Sequence, residues 1–188
     1  TQTPGAVAPD RPEFTDELEK LNTCINHLVA VQGKRSVDSF HRELGLLMWD
    51  KCGMERTPQG LKEALAKIPE IREQFWHDVR ITGRGTGLNM ELEKAGRVAD
   101  FLEFAEVMCH DALERRESCG GHFRADHQYT AEDEEVKSGF LSPGEAKRDD
   151  ENFCHVAAWE YTGTHTPPKL HKEHLNWEEA HPSVRSYK

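Results

Sequence analysis

The chain has 188 residues, enough for one domain with a buried core, and its 36% hydrophobic content is lean but sufficient for that. Its 24 basic and 34 acidic residues leave a formal charge of -10, a field that repels nucleic acid and anionic lipid and excludes both as partners. No stretch approaches the roughly 20 consecutive apolar residues that span a bilayer, and the start lacks a basic-then-apolar signal pattern, so a soluble chain with no direct membrane insertion is expected.

Residues 1–11, with Pro4, Gly5 and Pro9, read as a linker, and the start at Thr1 in place of Met points to an excised or processed piece of something larger. Phe14, Leu18, Leu21, Ile25 and Leu28 then recur at steps of four and three, which predicts a helix with one apolar stripe seeking a partner and ending near Gly33. Ser36 is a candidate N-cap for a second helix carrying Val37, Phe40, Leu44 and Leu47 or Met48, stopped by Cys52 and Gly53. Thr57 before Pro58 signals a third helical start, continued by Leu61, Leu65, Ile68, Phe75 and Val79. Pro69 interrupts that pattern and predicts a kink or a restart, because proline removes a backbone donor and crowds the preceding turn.

The Gly83–Gly87 run is a flexible connection; no strand precedes it, so it makes a poor phosphate loop. From Leu88 to Arg116 the spacing predicts the longest helix, ~40 Å at the usual rise, with Leu92, Ala95, Ala99, Leu102, Ala105, Met108 and Ala112 on its apolar face. Residues 12–117 are therefore expected to form a mainly α, up-down antiparallel three-helix bundle of the spectrin-repeat-like kind, with three main helical regions or four by count. Residues 118–150 are polar and glycine-containing, with four consecutive acids at 132–135, and read as an exposed loop or one draped over a partner. Phe153–Tyr161 and Lys169–Trp177 look like two strands of a hairpin closing an irregular 118–188 region, and a lone hairpin is marginal unless it lies on something else.

Five cysteines, at positions 24, 52, 109, 119 and 154, follow no secreted-scaffold spacing and suit a reducing compartment. Cys109-His110, Cys119-x-x-His122 and Cys154-His155 raise the idea of tetrahedral zinc, but the spacing fits no established finger, and with 11 histidines adjacent Cys-His pairs arise by chance. No metal is expected. Trp49, Trp76, Trp159 and Trp177 suit core or interface anchoring better than base stacking beside so acidic a surface. Glu70, Glu73 and Asp78 are read as a solvated helix face.

The run Arg116-Glu117-Ser118-Cys119-Gly120-Gly121-His122-Phe123-Arg124-Ala125-Asp126 resembles the Arg-x-Glu-Ser-Arg-Gly-x-His-x-Arg-x-Asp signature of succinate dehydrogenase and fumarate reductase flavoproteins. Arg42-Glu43-Leu44-Gly45, Cys52 to Thr57, Arg148-Asp149-Asp150-Glu151-Asn152 and the closing Val184-Arg185-Ser186-Tyr187 are similar to landmarks of the same family in the same order. Cys119 departs from the arginine found in many members, so the contacts of that arginine do not transfer. The resemblance implies the C-terminal helical domain of such a flavoprotein subunit, in which FAD is held by a separate dinucleotide-binding domain and the dicarboxylate lies between that domain and a capping domain. It also implies an iron-sulfur subunit as partner and a cytoplasmic location, peripheral to the inner face of the membrane through the parent complex.

No Gly-x-Gly-x-x-Gly follows a strand here, so this piece is expected to hold neither flavin nor substrate, with no catalytic residue of its own. His122 and Arg124 invite a catalytic reading, since one titrates near neutrality and the other can clasp a carboxylate. A structural or interdomain role is the better expectation for them and for the other motif residues, Arg56, Glu117, Ser118, Gly120, Asp126, Asp149, Asp150, Asn152 and Arg185. The competing readings are a free-standing helical interaction module and the C-terminal domain of the related L-aspartate oxidase.

Overall fold

The computed structural model describes residues 11–83, 87–163 and 166–179; the expected linker, most of the Gly83–Gly87 run and Arg185 lie wholly or largely outside them. Four long helices lead the chain: α1 (Pro12–Val31), α2 (Val37–Cys52), α3 (Pro58–Asp78) and α4 (Met90–Glu114). Two-residue strands β1 (Arg35–Ser36) and β2 (Val79–Arg80) follow α1 and α3, short helices α5 (Glu134–Lys137) and α6 (Asp150–Phe153) lie in the later segment, and β3 (His155–Glu160) and β4 (Lys169–His174) end it.

The boundaries have local causes. Pro12 occupies the first turn of α1, where its missing N–H costs nothing, and Gln32 turns the chain out in the left-handed region at φ 48°. Gly33 follows because its backbone runs against the end of α3, where a Cβ would sit 2.0 Å from the Asp78 carbonyl oxygen. The contact lets the Gly33 N–H bond the Val79 carbonyl at 3.0 Å and opens the parallel pairing of β1 with β2. Thr57 caps α3 by accepting from the Gly60 N–H at 3.0 Å. Pro69 lies inside one continuous α3, so the expected restart does not occur; Ile68, Ile71 and Phe75, all fully buried, anchor the turns on either side of it.

At α4 the sequence reading overruns at both ends. Asn89 is the true N-cap, its Oδ1 accepting from the N–H groups of Glu91 and Leu92, and Leu88 is left exposed outside the helix. The buried stripe is Ala95, Val98, Leu102, Ala105, Cys109 and Ala112, so Val98 and Cys109 take the places expected for Ala99 and Met108.

The chain forms two compact units: residues 1–47 with 66–104, and residues 48–65 with 105–188. In the first, Phe40 meets Phe75 edge-on at 5.4 Å, the Arg35 guanidinium lies 3.8 Å over the Phe40 ring, and Asp38 near the start of α2 pairs with Lys94 near the start of α4. In the second, Cys109 near the end of α4 lies against Met48 near the end of α2 at 3.8 Å, and Lys51 pairs with Glu63 at 3.1 Å. In each unit helices pack on helices, so the architecture is mainly α, as expected.

The α1 stripe is the main correction. Leu28 is its one buried member, while Phe14, Leu18 and Leu21 are 52%, 57% and 55% exposed, because among the described residues α1 meets its neighbours near its C-terminal end, through Leu28 and the His27–Trp76 ring contact. Residues 118–150 are also less open than expected. Backbone bonds from Ser118 to Lys147 at 2.9 Å, Lys147 to His127 at 3.2 Å, and Tyr129 to Glu145 at 2.9 Å fold the segment back on itself. The hairpin is antiparallel with His155 opposite His174, and it does lie on something: Trp159 Nε1 donates to Asp111 and Lys172 pairs with Glu114, both near the end of α4. No described helix is long and apolar enough to cross a membrane.

Candidate functional site

The signature residues gather where α4 ends. Helix termini leave four carbonyls without intrahelical partners, and here a buried arginine supplies the donors. Arg124, 2% exposed, directs Nη1 to the carbonyls of Ala112, Leu113 and Arg115 at 3.0, 3.3 and 3.2 Å. Its Nε and Nη2 form a two-point fork onto Asp126, each at 2.9 Å. Against its partial burial, that fork holds the Asp126 carboxyl below the usual carboxylate range.

Ser118 joins the two ends of the signature: its hydroxyl accepts from the Arg124 N–H at 2.9 Å and donates to the Arg124 carbonyl at 3.1 Å. Cys119 and His122 exchange backbone bonds of 2.9 and 3.0 Å around a tight turn in which Gly120 takes φ +57°, a region glycine enters freely. Arg56 lies beside this turn: its N–H bonds the Phe123 carbonyl and its carbonyl accepts from Ala125.

His122 is pinned at both nitrogens. Arg56 Nη1 donates to Nδ1 at 2.7 Å, and Nε2 lies 2.8 Å from the Arg115 carbonyl. A guanidinium only donates and a carbonyl only accepts, so the ring must be neutral with its proton on Nε2. Burial lowers its pKa below the ordinary histidine value against the hydrogen bond to the Arg115 carbonyl, and the Arg56, Arg115 and Arg124 charges push the same way as burial. Glu117, 1% exposed, takes Arg115 on one oxygen and the Asp149 N–H on the other at 2.9 Å. Asp149 in turn caps α6 through the Asn152 N–H, and Asp150 pairs with Arg148 at 2.6 Å. Of the described motif residues, Gly120, Asp126, Asp150 and Asn152 are exposed.

This chemistry is that of a latch. The Arg124 Nε, Nη1 and Nη2 all bond within the chain, leaving a dicarboxylate no matching fork, and His122 has no lone pair free to take a proton or a metal ion. Among the described residues no group of three His, Cys, Asp or Glu side chains is placed to hold a metal. Cys154 accepts instead from Trp177 Nε1 at 3.1 Å.

The sequence reading missed Arg115, which holds Glu117 and His122, and Gln128, whose Nε2 donates to the Ser118 hydroxyl at 3.0 Å and to the Arg124 carbonyl at 2.9 Å, and it missed Cys52 beside Cys109. The last was legible in principle, since both occupy core positions of their helices. The Cys52 thiol is drawn down by its hydrogen bond with Cys109, against burial and with help from Arg56; Cys109 is pushed up by the same bond and by burial.

The signature residues thus bond one another and the end of α4 within a mainly α chain. Residues 41–187 match the family model described as fumarate reductase flavoprotein C-term, and the chain belongs to that family. It is 34% identical over 110 residues to the fumarate reductase flavoprotein subunit of Escherichia coli (strain K12), covering 58% of this chain and 18% of that protein. It is 30% identical over 126 residues to the L-aspartate oxidase of Vibrio cholerae, covering 67% and 21%. A solved quinol-fumarate reductase with menaquinol molecules shares the fold at a TM-score of 0.72 and 24% identity, over 95% of this chain and 28% of that one. The chain thus spans about a fifth of the length of these curated relatives.

Proposed function

We propose that the chain is the C-terminal domain of the flavoprotein subunit of a succinate dehydrogenase or fumarate reductase and that its work is support: it completes the subunit and buttresses the flavin-binding and capping domains. The observation that carries this reading is the latch itself, in which the most chemically capable side chains of the signature, His122 and Arg124, bond inward. The exposed apolar face of α1 supports it, being a surface of the sort that meets another protein body. In this reading FAD belongs to the full-length subunit, and Gly120, Asp150 and Asn152 take part in interdomain contact. The assembled subunit meets an iron-sulfur partner on the cytoplasmic side of a membrane and serves succinate–fumarate interconversion coupled to quinone. An L-aspartate oxidase parent fits less well, because the family model that matches is that of the fumarate reductase flavoprotein.

The test is direct. The purified chain is expected to be colourless after incubation with FAD and desalting, and to show no succinate-dependent dye reduction. Stoichiometric yellow flavin retained on the chain overturns the reading.

A further inference from the structure

The core around the end of α2 holds a cluster that neither the latch nor the support role uses. Met48 and Cys52 stand one helical turn apart on α2, so their side chains share a face. Cys109 comes toward them from α4, its Sγ donating to Met48 Sδ at 3.8 Å, and it is close enough to Cys52 for each thiol to shift the titration of the other. Cys109 is fully buried and Cys52 is 5% exposed. Three sulfurs therefore converge at the edge of the core, the two thiols buried and Met48 partly exposed.

We propose that Met48, Cys52 and Cys109 bind one soft monovalent cation, Cu(I), in a trigonal all-sulfur site. Thiolate and thioether are soft ligands, and a set free of nitrogen and carboxylate oxygen selects Cu(I) over harder divalent ions. With metal–sulfur bonds of about 2.3 Å, as zinc makes to thiolate, a trigonal ion needs sulfurs about 4 Å apart, and the Met48–Cys109 pair is already there. Zinc would want a fourth ligand, and among the described residues no His, Asp, Glu or third Cys joins the two thiols. Charge also balances. Two thiolates around one Cu(I) carry a net negative charge, and the Arg56 guanidinium acts electrostatically on both thiols. Loading would release the two thiol protons to solvent and involve no change in oxidation state.

The alternative use of these residues is as small apolar filler, and titration separates the two. The reduced, metal-free chain is titrated anaerobically against Cu(I) held by bicinchoninate, whose colour reports withdrawal of the ion. One equivalent is expected to transfer to the native chain, with X-ray absorption showing three sulfur neighbours. Cys109→Ser, Cys52→Ser and Met48→Leu are each expected to weaken binding by about tenfold or more, whereas Cys24→Ser and Cys154→Ser leave it unchanged. Circular dichroism on each variant identifies any that unfolds; Met48→Leu conserves volume and keeps the test decisive in that case. Failure to withdraw Cu(I), or equal binding by Cys109→Ser and Met48→Leu, overturns the proposal. The outcome is independent of whether the chain supports a flavoprotein.

Discussion

Acidification should loosen the latch through His122, and the size of the effect follows from its two hydrogen bonds. The neutral ring accepts from Arg56 and donates to the Arg115 carbonyl. The bond to the charged guanidinium contributes about 1.5–3 kcal/mol in a buried setting and the neutral one about 1 kcal/mol. His122 is half-buried, so solvent replaces part of this, and His122→Phe should destabilise the chain by about 2 kcal/mol at pH 7.5. The pH dependence has a fixed sign. The folded-state pKa lies below the unfolded value near 6.5, so above that value both states are neutral and the contribution is whole. Below it the unfolded chain takes up a proton that the folded chain refuses, and stability falls by up to about 1.4 kcal/mol per pH unit until the folded pKa is reached. Urea unfolding of native chain and variant between pH 7.5 and 5.0 isolates the term, because the other histidines cancel in the difference. A variant that loses as much stability on acidification as the native chain refutes the reasoning, as does an NMR titration placing the His122 midpoint at or above 6.5.

Arg124→Ala removes the donor to two α4 carbonyls and to that of Arg115 just beyond the helix and strands Asp126, and should cost about 3–5 kcal/mol, read as a fall in the thermal midpoint. Arg124→Lys should recover little of this, since an ammonium cannot reproduce the planar fork. Asn89→Ala loses the α4 cap and should cost about 1 kcal/mol in urea unfolding, with Asn89→Asp close to native. Replacing Phe14, Leu18 and Leu21 together by serine should change the stability of the chain by less than about 1 kcal/mol because all three are exposed, while reducing association with a separately expressed flavin-binding portion in pull-down or calorimetry.

The residues by themselves determined much of the architecture. Apolar spacing, Thr57-Pro58, Gly33 and the strand-like runs near residues 155 and 170 set the helices and the hairpin, because periodicity, capping and turn chemistry act over one or two turns of chain. The signature around Glu117 to Asp126 likewise carried the family. Tertiary structure decided the rest. Val98 and Cys109 displaced Ala99 and Met108 because the buried face of α4 is chosen by α2 and α3, not by α4 alone. The α1 stripe was legible as a pattern, yet what covers it depends on surfaces elsewhere. Ser118 and Lys147, or His122 and Arg56, bond across 29 and 66 positions, and no local rule reaches that far. The proton on His122 Nε2 is likewise a property of the folded chain, imposed by a donor on one side and an acceptor on the other.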